Sequence, residues 1–267
     1  MTVMVQQVAA LLALDGRDEA VLGAVRAVAR RARVGRVFLV HVVEAGEPDR
    51  GPGRLDAAAR SLAADLDGVE VIAEAAAGRT EEEVGRLVVR EDLDLLVVGR
   101  RNETGWGPHG LRVLRAADCP ILVVPEGSRL GDREAVVGMD LSDGARAAMR
   151  VAAQLCARVR PVAVVDPSAE GADENELRAQ VRQAWAHATE GQEAPAIEVV
   201  VGAPADALLA AAKGADLVAI GSRGLTPVAA TLLGSTAERL GARAEAPVLV
   251  YRQKGEHRGL LRALFRW

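Results

Sequence analysis

The chain has 267 residues, of which 50% are hydrophobic but only 2% aromatic, and its formal net charge is -4. This length accommodates two domains of ordinary size, and cores built from Val, Leu, Ile and Ala are typical of buried parallel sheets. The negative charge provides no overall positive field for a nucleic-acid backbone, so nucleic acid is not expected as a partner. Cys119 and Cys156 have no further cysteine or histidine at ligand spacing, which excludes a zinc motif and fits a reducing compartment.

The first predicted element is a strand within the apolar run from Met1 to Leu14. This run lacks a basic leader and a small-residue cleavage site, and Asp15 ends it, so it does not resemble a targeting signal. No segment approaches the roughly 18 apolar residues that a membrane span needs. We therefore expect a cytoplasmic protein.

The chain contains an internal repeat with a period of about 125 residues, the size of a domain. Four landmarks of the first half recur in the same order in the second half: Asp15 as Asp140, Gly78 as Gly202, Gly99 as Gly221, and Pro120 as Pro247. The repeat predicts two related domains in tandem.

Each half alternates short β-rich runs with Ala-, Arg- and Leu-rich segments of helical periodicity. This alternation predicts an α/β fold made of two tandem doubly wound open sheets, each with five mostly parallel strands and helices on both faces. Pro, Gly and Ser cluster between Glu126 and Asp132 and mark a boundary. We expect a first domain over residues 1–128, a second over 132–252, and a separate tail over 253–267.

A glycine-rich loop follows the predicted strand Leu217 to Ile220, at the sheet edge where doubly wound folds bind ligands. The loop has two parts separated by nine residues: Gly221, Ser222, Arg223 and Gly224, then Gly234, Ser235 and Thr236. Glycines let backbone N–H groups approach a phosphate, and the following helix start favours an anion. Three hydroxyls and one guanidinium add donors, and no acidic residue lies from Gly221 to Ala237.

The same residues also have an explanation that needs no ligand. Gly221 and Gly224 would then form a tight turn, and Ser235 would cap the next helix, with Glu238 completing a capping box. We favour phosphate binding because the whole pattern lies after a strand and before a helix. The two explanations are compatible, since a capped helix N-terminus still attracts an anion.

Asp140 ends the first predicted strand of the second half. If the first and fourth strands are adjacent, Asp140 faces Gly221, and its carboxylate can accept hydrogen bonds from an adenine amino group or a ribose hydroxyl. The alternative is that Asp140 caps the helix beginning near Asp143, in competition with Ser142.

Three segments of the second half resemble the universal stress protein family: Val199 to Asp206, Ala215 to Gly224, and Leu232 to Leu240. The resemblance extends over essentially the whole chain as a tandem pair, and the glycine spacing is that of the family's ATP-binding members. It implies that the two domains pair through their last strands. It also implies ATP, with or without Mg²⁺, held by Gly221, Gly224, Gly234 and Ser235, with Asp140 and Val164 at the base. The preference for adenine comes only from this resemblance, and AMP or cyclic AMP in place of ATP stays open.

The first half departs from this pattern. Arg100, Arg101, Asn102 and Glu103 follow Gly99, so Gly224 has no counterpart. Arg17 also stands where the second half has Ser142. We expect the first half to be a partner that binds no nucleotide, with an anion site at Arg100 and Arg101 as the alternative.

The last strands, Ile121 to Val124 and Val248 to Tyr251, are expected at sheet edges that need covering. Pairing them with each other gives an intramolecular pseudo-dimer, and a homodimer of tandems is a further option. Lys254 to Trp267 predicts a basic amphipathic helix that docks on its own domain or a second subunit. Membrane-surface contact is not favoured because the helix is short, and a disordered end is another alternative.

No nucleophile with a base, metal-ligand set or Walker-type loop is recognisable, so no catalytic residue or metal ligand is predicted. The leading hypothesis is an ATP-binding regulatory protein. Slow ATP hydrolysis in the same pocket is one alternative. A nucleotide-independent interaction module that recruits a partner through the tail is another.

Overall fold

A computed structural model describes residues 4–46, 52–101, 107–140, 142–165, 196–222 and 234–252, with isolated positions between 175 and 186. The strands are β1 Gln7–Leu11, β2 Arg36–Val43, β3 Glu70–Ala77, β4 Leu95–Arg100, β5 Ile121–Pro125, β6 Glu134–Gly138, β7 Arg158–Val165, β8 Glu198–Val201, β9 Leu217–Gly221 and β10 Val248–Tyr251. The helices in the described ranges are α1 Glu19–Arg31, α2 Pro52–Asp65, α3 Thr80–Arg90, α4 Gly107–Ala116, α5 Asp143–Leu155, α6 Pro204–Ala211 and α7 Ser235–Arg243. The predicted helix between β7 and β8 falls largely outside the described residues, and the tail after residue 252 does so entirely.

The strands form one sheet in the order β3-β2-β1-β4-β5-β10-β9-β6-β7-β8. Within each half all pairs are parallel, and the first and fourth strands are neighbours, so the predicted doubly wound α/β fold is confirmed. The halves meet where β5 and β10 pair antiparallel, with Val123 opposite Val248 and Ile121 opposite Val250. The last strands therefore pair with each other, and two five-stranded sheets become one ten-stranded sheet.

Alternate strand residues face opposite helical layers, as the strand period of two requires. Val8 and Ala10 belong to the core layer beneath α1, α2 and α5, whereas Ala9 belongs to the layer beneath α3, α4, α6 and α7. Both layers continue through β5 and β10 from one half into the other. The central strands, such as β1, β4, β5 and β9, are rich in Val, Leu and Ala because they are covered on both faces.

The repeated aspartates before β4 and β9 have a structural reason. Asp94 accepts hydrogen bonds from the amides of Gln6 and Gln7, both at 2.8 Å. Its counterpart Asp216 accepts from two amides at the start of β6, at 2.8 and 3.2 Å. Each carboxylate thus ties the start of the fourth strand to the start of the first strand in its half.

The repeated glycines after β3 and β8 also share a conformation. Gly78 has a φ of 150° and Gly202 a φ of 156°, a region that side-chain-bearing residues rarely adopt. In the part of the chain that the structure describes, no helix has the length and hydropathy to cross a membrane.

Candidate functional site

The carboxyl ends of β6 and β9 lie side by side in the second half. The two strands pair in parallel, with Val137 opposite Ala219. Gly221 is the last residue of β9, and Asp140 lies two residues beyond β6. The predicted site residues Asp140 and Gly221 are therefore at the same sheet edge. Val164 lies near the end of the adjacent strand β7, where it is half-buried.

Gly221 is in close contact with the start of α5. A Cβ at this position would lie 2.4 Å from the Ala145 nitrogen and 2.5 Å from the Gly144 carbonyl carbon. Both contacts are with backbone, which cannot rotate away as a side chain can. Glycine at position 221 is thus required by helix–strand packing, and the tight-turn explanation does not account for it.

Ser222 is only partly available to a ligand. Its amide donates to the Tyr251 carbonyl at 2.8 Å and so continues the pairing of β9 with β10. This pairing uses the Ser222 amide and does not involve the Ser222 hydroxyl. The predicted site residues Arg223 and Gly224 lie outside the described residues.

Among the residues that the structure describes, no side chain caps the start of α7. Gly234 is its N-cap residue, so Ser235 is the first helical residue and Glu238 falls one position too late for a capping box. The predicted Ser235 cap is thus wrong. A glycine N-cap has no side-chain oxygen for the first-turn amides. A Cβ at Gly234 would meet no described atom within 4 Å, and Ser235 is exposed. These amides and the hydroxyls of Ser235 and Thr236 fit an incoming anion.

Ser142, and not Asp140, caps α5. The Ser142 hydroxyl accepts from the Ala145 amide at 3.1 Å and donates to Asp140 Oδ1 at 2.6 Å. The Ser142 amide donates to the same oxygen at 3.0 Å. Asp140 is therefore an exposed carboxylate that its neighbour orients, and the alternative role as a helix cap is excluded.

The corresponding position in the first half is neutralised internally. Asp15, the counterpart of Asp140, forms an ion pair with Arg101 and accepts from the Arg17 amide at 3.1 Å. Nearby, Asp18 accepts from the amides of Ala13 and Leu14 at 2.9 and 2.8 Å. Burial raises the pKa of Asp18 in spite of these two bonds. The loop that would face a ligand is thus held by its own side chains.

Arg100 is buried, with only 7% of its surface exposed. Its guanidinium donates to the carbonyls of Ala242 at 2.9 Å and Ala244 at 2.6 Å, at the end of α7 in the other half. Because Arg100 and Arg101 both have partners within the chain, the alternative anion site at these two arginines loses its support.

A second buried arginine makes the reciprocal contact, from the second half of the chain to a helix of the first half. Arg252, 5% exposed, donates to the carbonyls of Arg115 at 3.3 Å and Ala117 at 2.9 Å, at the end of α4. Sequence reasoning missed this pair of contacts. A signal was present, since Arg100 and Arg252 each directly continue the apolar run of a buried strand, where a solvated side chain is not expected.

A cleft of about 640 Å³ lies between α1 and residues 126–130, and its lining includes no described residue of the glycine loop. Three of its arginines already have partners in the chain: Arg17 with Glu126, Arg26 with Asp65, and Arg31 with the Gly131 carbonyl. We therefore assign the cleft no part in nucleotide binding.

The model of the universal stress protein family matches the chain twice, at residues 9–125 and 133–252. Among solved structures, a putative universal stress protein from Pseudomonas aeruginosa UCBPP-PA14 has a TM-score of 0.76 at 16% identity, covering 98% of each chain. A functionally unknown protein from Pseudomonas aeruginosa PAO1 has a TM-score of 0.75 at 15% identity, also covering 98% of each chain. A universal stress protein from Archaeoglobus fulgidus DSM 4304 has a TM-score of 0.70 at 19% identity, covering 95% of this chain and 98% of its own. These likenesses show the shared fold, and a comparison with curated proteins gave no match.

Proposed function

The chain belongs to the universal stress protein family, and from this premise we propose that it is a regulatory protein whose second half binds ATP. The observation that carries the proposal is the start of α7 at Gly234, which no described side chain caps and which belongs to the full glycine motif. Phosphate is the group for which such a helix start is best suited.

The proposed roles follow from position. The amides and hydroxyls of Ser235 and Thr236 bind phosphate oxygens, and Gly234 leaves the approach open. Arg223 and Gly224 are assigned to the same phosphates from the motif alone. The exposed carboxylate of Asp140 accepts from the ribose or adenine, and Val164 contacts the base. Bound Mg²⁺ would supply charge neutralisation to the phosphates.

The proposed role of the first half follows from its own contacts. Its counterpart carboxylate, Asp15, is occupied by Arg101, and position 100 has an arginine directed into the protein. We propose that this half binds no nucleotide and serves as the structural partner in an intramolecular pseudo-dimer. Occupancy of the second half then changes the stability of the pair and its choice of partners in the cytoplasm. Ligand binding to the folded state alone raises stability in this way.

Calorimetric titration of the full chain with ATP and Mg²⁺ tests the proposal, with AMP and cyclic AMP as competitors. Gly234→Val is the informative variant, because its new side chain points where no described atom lies within 4 Å. Gly53→Val is its matched control, since Gly53 also lies at a helix start and its Cβ would meet no described atom within 4 Å.

We expect one-to-one binding that Gly234→Val abolishes and Gly53→Val retains. Phosphate release measured in the same samples separates binding from slow hydrolysis. A well-folded wild type that binds none of the three nucleotides would overturn the proposal.

A further inference from the structure

The helix that begins at the proposed phosphate site is short. α7 has nine residues, which corresponds to a length of about 13 Å. Helices shorter than about 12 residues are marginal in isolation and depend on tertiary contacts. The orientation of its first-turn amides is therefore set by whatever holds the rest of the helix.

The far end of α7 is held by the first half of the chain. Ala244 is its C-cap residue, and the carbonyls of Ala242 and Ala244 would be left without helical partners. Arg100 donates to both, at 2.9 and 2.6 Å. A cation at a helix C-terminus also complements the helix dipole. One side chain from β4 thus fixes the end of α7 from across the junction between the halves.

Burying the charged side chain of Arg100 has a desolvation cost. Arg100 is buried, and its Nε has no hydrogen-bond partner among the described residues. Burial lowers the pKa of the Arg100 guanidinium, which nevertheless starts so high that the group stays charged at neutral pH. An apolar side chain would avoid this desolvation cost. The rigid, forked geometry of the guanidinium is what an apolar residue cannot provide.

The two halves have different residues at the position of Arg100. Gly99 corresponds to Gly221, so Arg100 stands where the second half has Ser222. In the second half this position belongs to the proposed ligand loop. In the first half its side chain extends into the other half of the chain.

We propose that Arg100 is a positioning residue for the nucleotide site of the second half, acting through the C-terminal end of α7. This inference rests on the proposed function. The first half thereby contributes to nucleotide binding without contacting the nucleotide, because it orients the helix whose opposite end binds the phosphates. A site held by rigid support binds more tightly than the same residues left loose.

Arg252 provides a matched control. It is buried to the same degree and donates to the last carbonyls of α4, the first-half counterpart of α7. Arg100→Met and Arg252→Met therefore remove the same kind of contact from equivalent helices. Of these two helices, only α7 begins with the intact glycine motif.

The test compares wild type, Arg100→Met, Arg100→Lys and Arg252→Met by ATP titration and by thermal unfolding without ligand. We expect both Met variants to lower the melting temperature to a similar degree. The Kd for ATP rises about tenfold in Arg100→Met, equivalent to about 1.4 kcal/mol, and stays near the wild-type value in Arg252→Met. Arg100→Lys binds with intermediate affinity, because an ammonium lacks the fork that reaches both carbonyls.

Amide hydrogen exchange of the ligand-free proteins provides a readout that does not depend on ATP. Protection of the hydrogen-bonded amides of α7, which begin with Glu238 bonded to the Gly234 carbonyl, should fall in Arg100→Met and not in Arg252→Met. Wild type that binds no nucleotide would overturn the proposed function. Wild type that binds, with equal affinity and equal exchange in the two Met variants, would overturn the role of Arg100 alone. If Arg100→Met fails to fold, the Lys variant gives the same comparison.

Discussion

Substituting Gly221 by alanine should destabilise the protein by forcing β9 and α5 apart. The new Cβ would lie 2.4 Å from the Ala145 nitrogen and 2.5 Å from the Gly144 carbonyl carbon. Ordinary contacts of this kind are no shorter than about 3.4 Å, so the elements must separate by about 1 Å in a closely packed core. The backbone conformation itself tolerates alanine, because Gly221 does not have a positive φ.

The expected cost follows from these contacts. Overpacking a core costs about 1–3 kcal/mol, and the upper end applies because both obstructing atoms are backbone. Alanine recovers about 0.4–1 kcal/mol through the unfolded state. A net loss of about 2 kcal/mol should lower the melting temperature by roughly 4–8 °C for a protein of this size.

Gly99→Ala is the internal control, at the equivalent position of the first half. Its Cβ would lie 3.1 Å from Val21 Cγ2, the end of a side chain that can adjust. We expect this variant to remain within about 1 kcal/mol of wild type. Urea and thermal unfolding of both variants provide the comparison. Equal stabilities would refute the conclusion that Gly221 is required for packing.

Three further predictions concern capping and pH. Ser142→Ala removes the α5 cap and should cost about 1 kcal/mol in urea unfolding; an unchanged midpoint would mean that the cap contributes nothing. Burial alone would raise the pKa of Asp216, but two amide donors and Arg133 lower it below its usual 3.8. The stability that ionised Asp216 contributes is therefore present above about pH 4 and is lost as the pH falls through its lowered pKa in the folded protein. The deficit of Asp216→Asn in melting temperature should shrink in acid, and a constant deficit would contradict this. Burial raises the pKa of Asp18, so stability from this group is complete below about pH 4 and declines as pH rises through the raised value. Asp18→Asn should flatten that decline, and an unaltered pH profile would argue against it.

Much of the fold could be predicted because it depends on local patterns. Apolar runs of strand length, separated by helical segments, specify buried parallel strands with helices between them. The repeat then placed its four landmark pairs at corresponding positions, and the structure adds a further pair, Asp94 and Asp216, before the fourth strand of each half. Both prove to accept amide hydrogen bonds from the first strand.

The detail of the candidate site was less predictable. Spacing suggested Ser235 as a helix cap, but the helix begins one residue earlier than a Ser235–Glu238 capping box needs, with Gly234 as its N-cap residue. Two caps for α5 were equally compatible with the sequence, and the structure has Ser142. Such choices depend on one residue of helix phase, which propensity does not resolve.

The sequence by itself determined the fold class, the tandem repeat, the family resemblance and the asymmetry between an intact and a degenerate glycine loop. These features follow from periodicity, composition and spacing along the chain, which do not depend on knowing which residues meet in space. The tertiary structure alone decided that Gly221 is needed by α5, that Asp15 is paired with Arg101, and that Arg100 and Arg252 cap helices across the junction. The partners in these contacts are far apart in the chain. Only when both halves have folded does a guanidinium of one half reach the end of a helix in the other half.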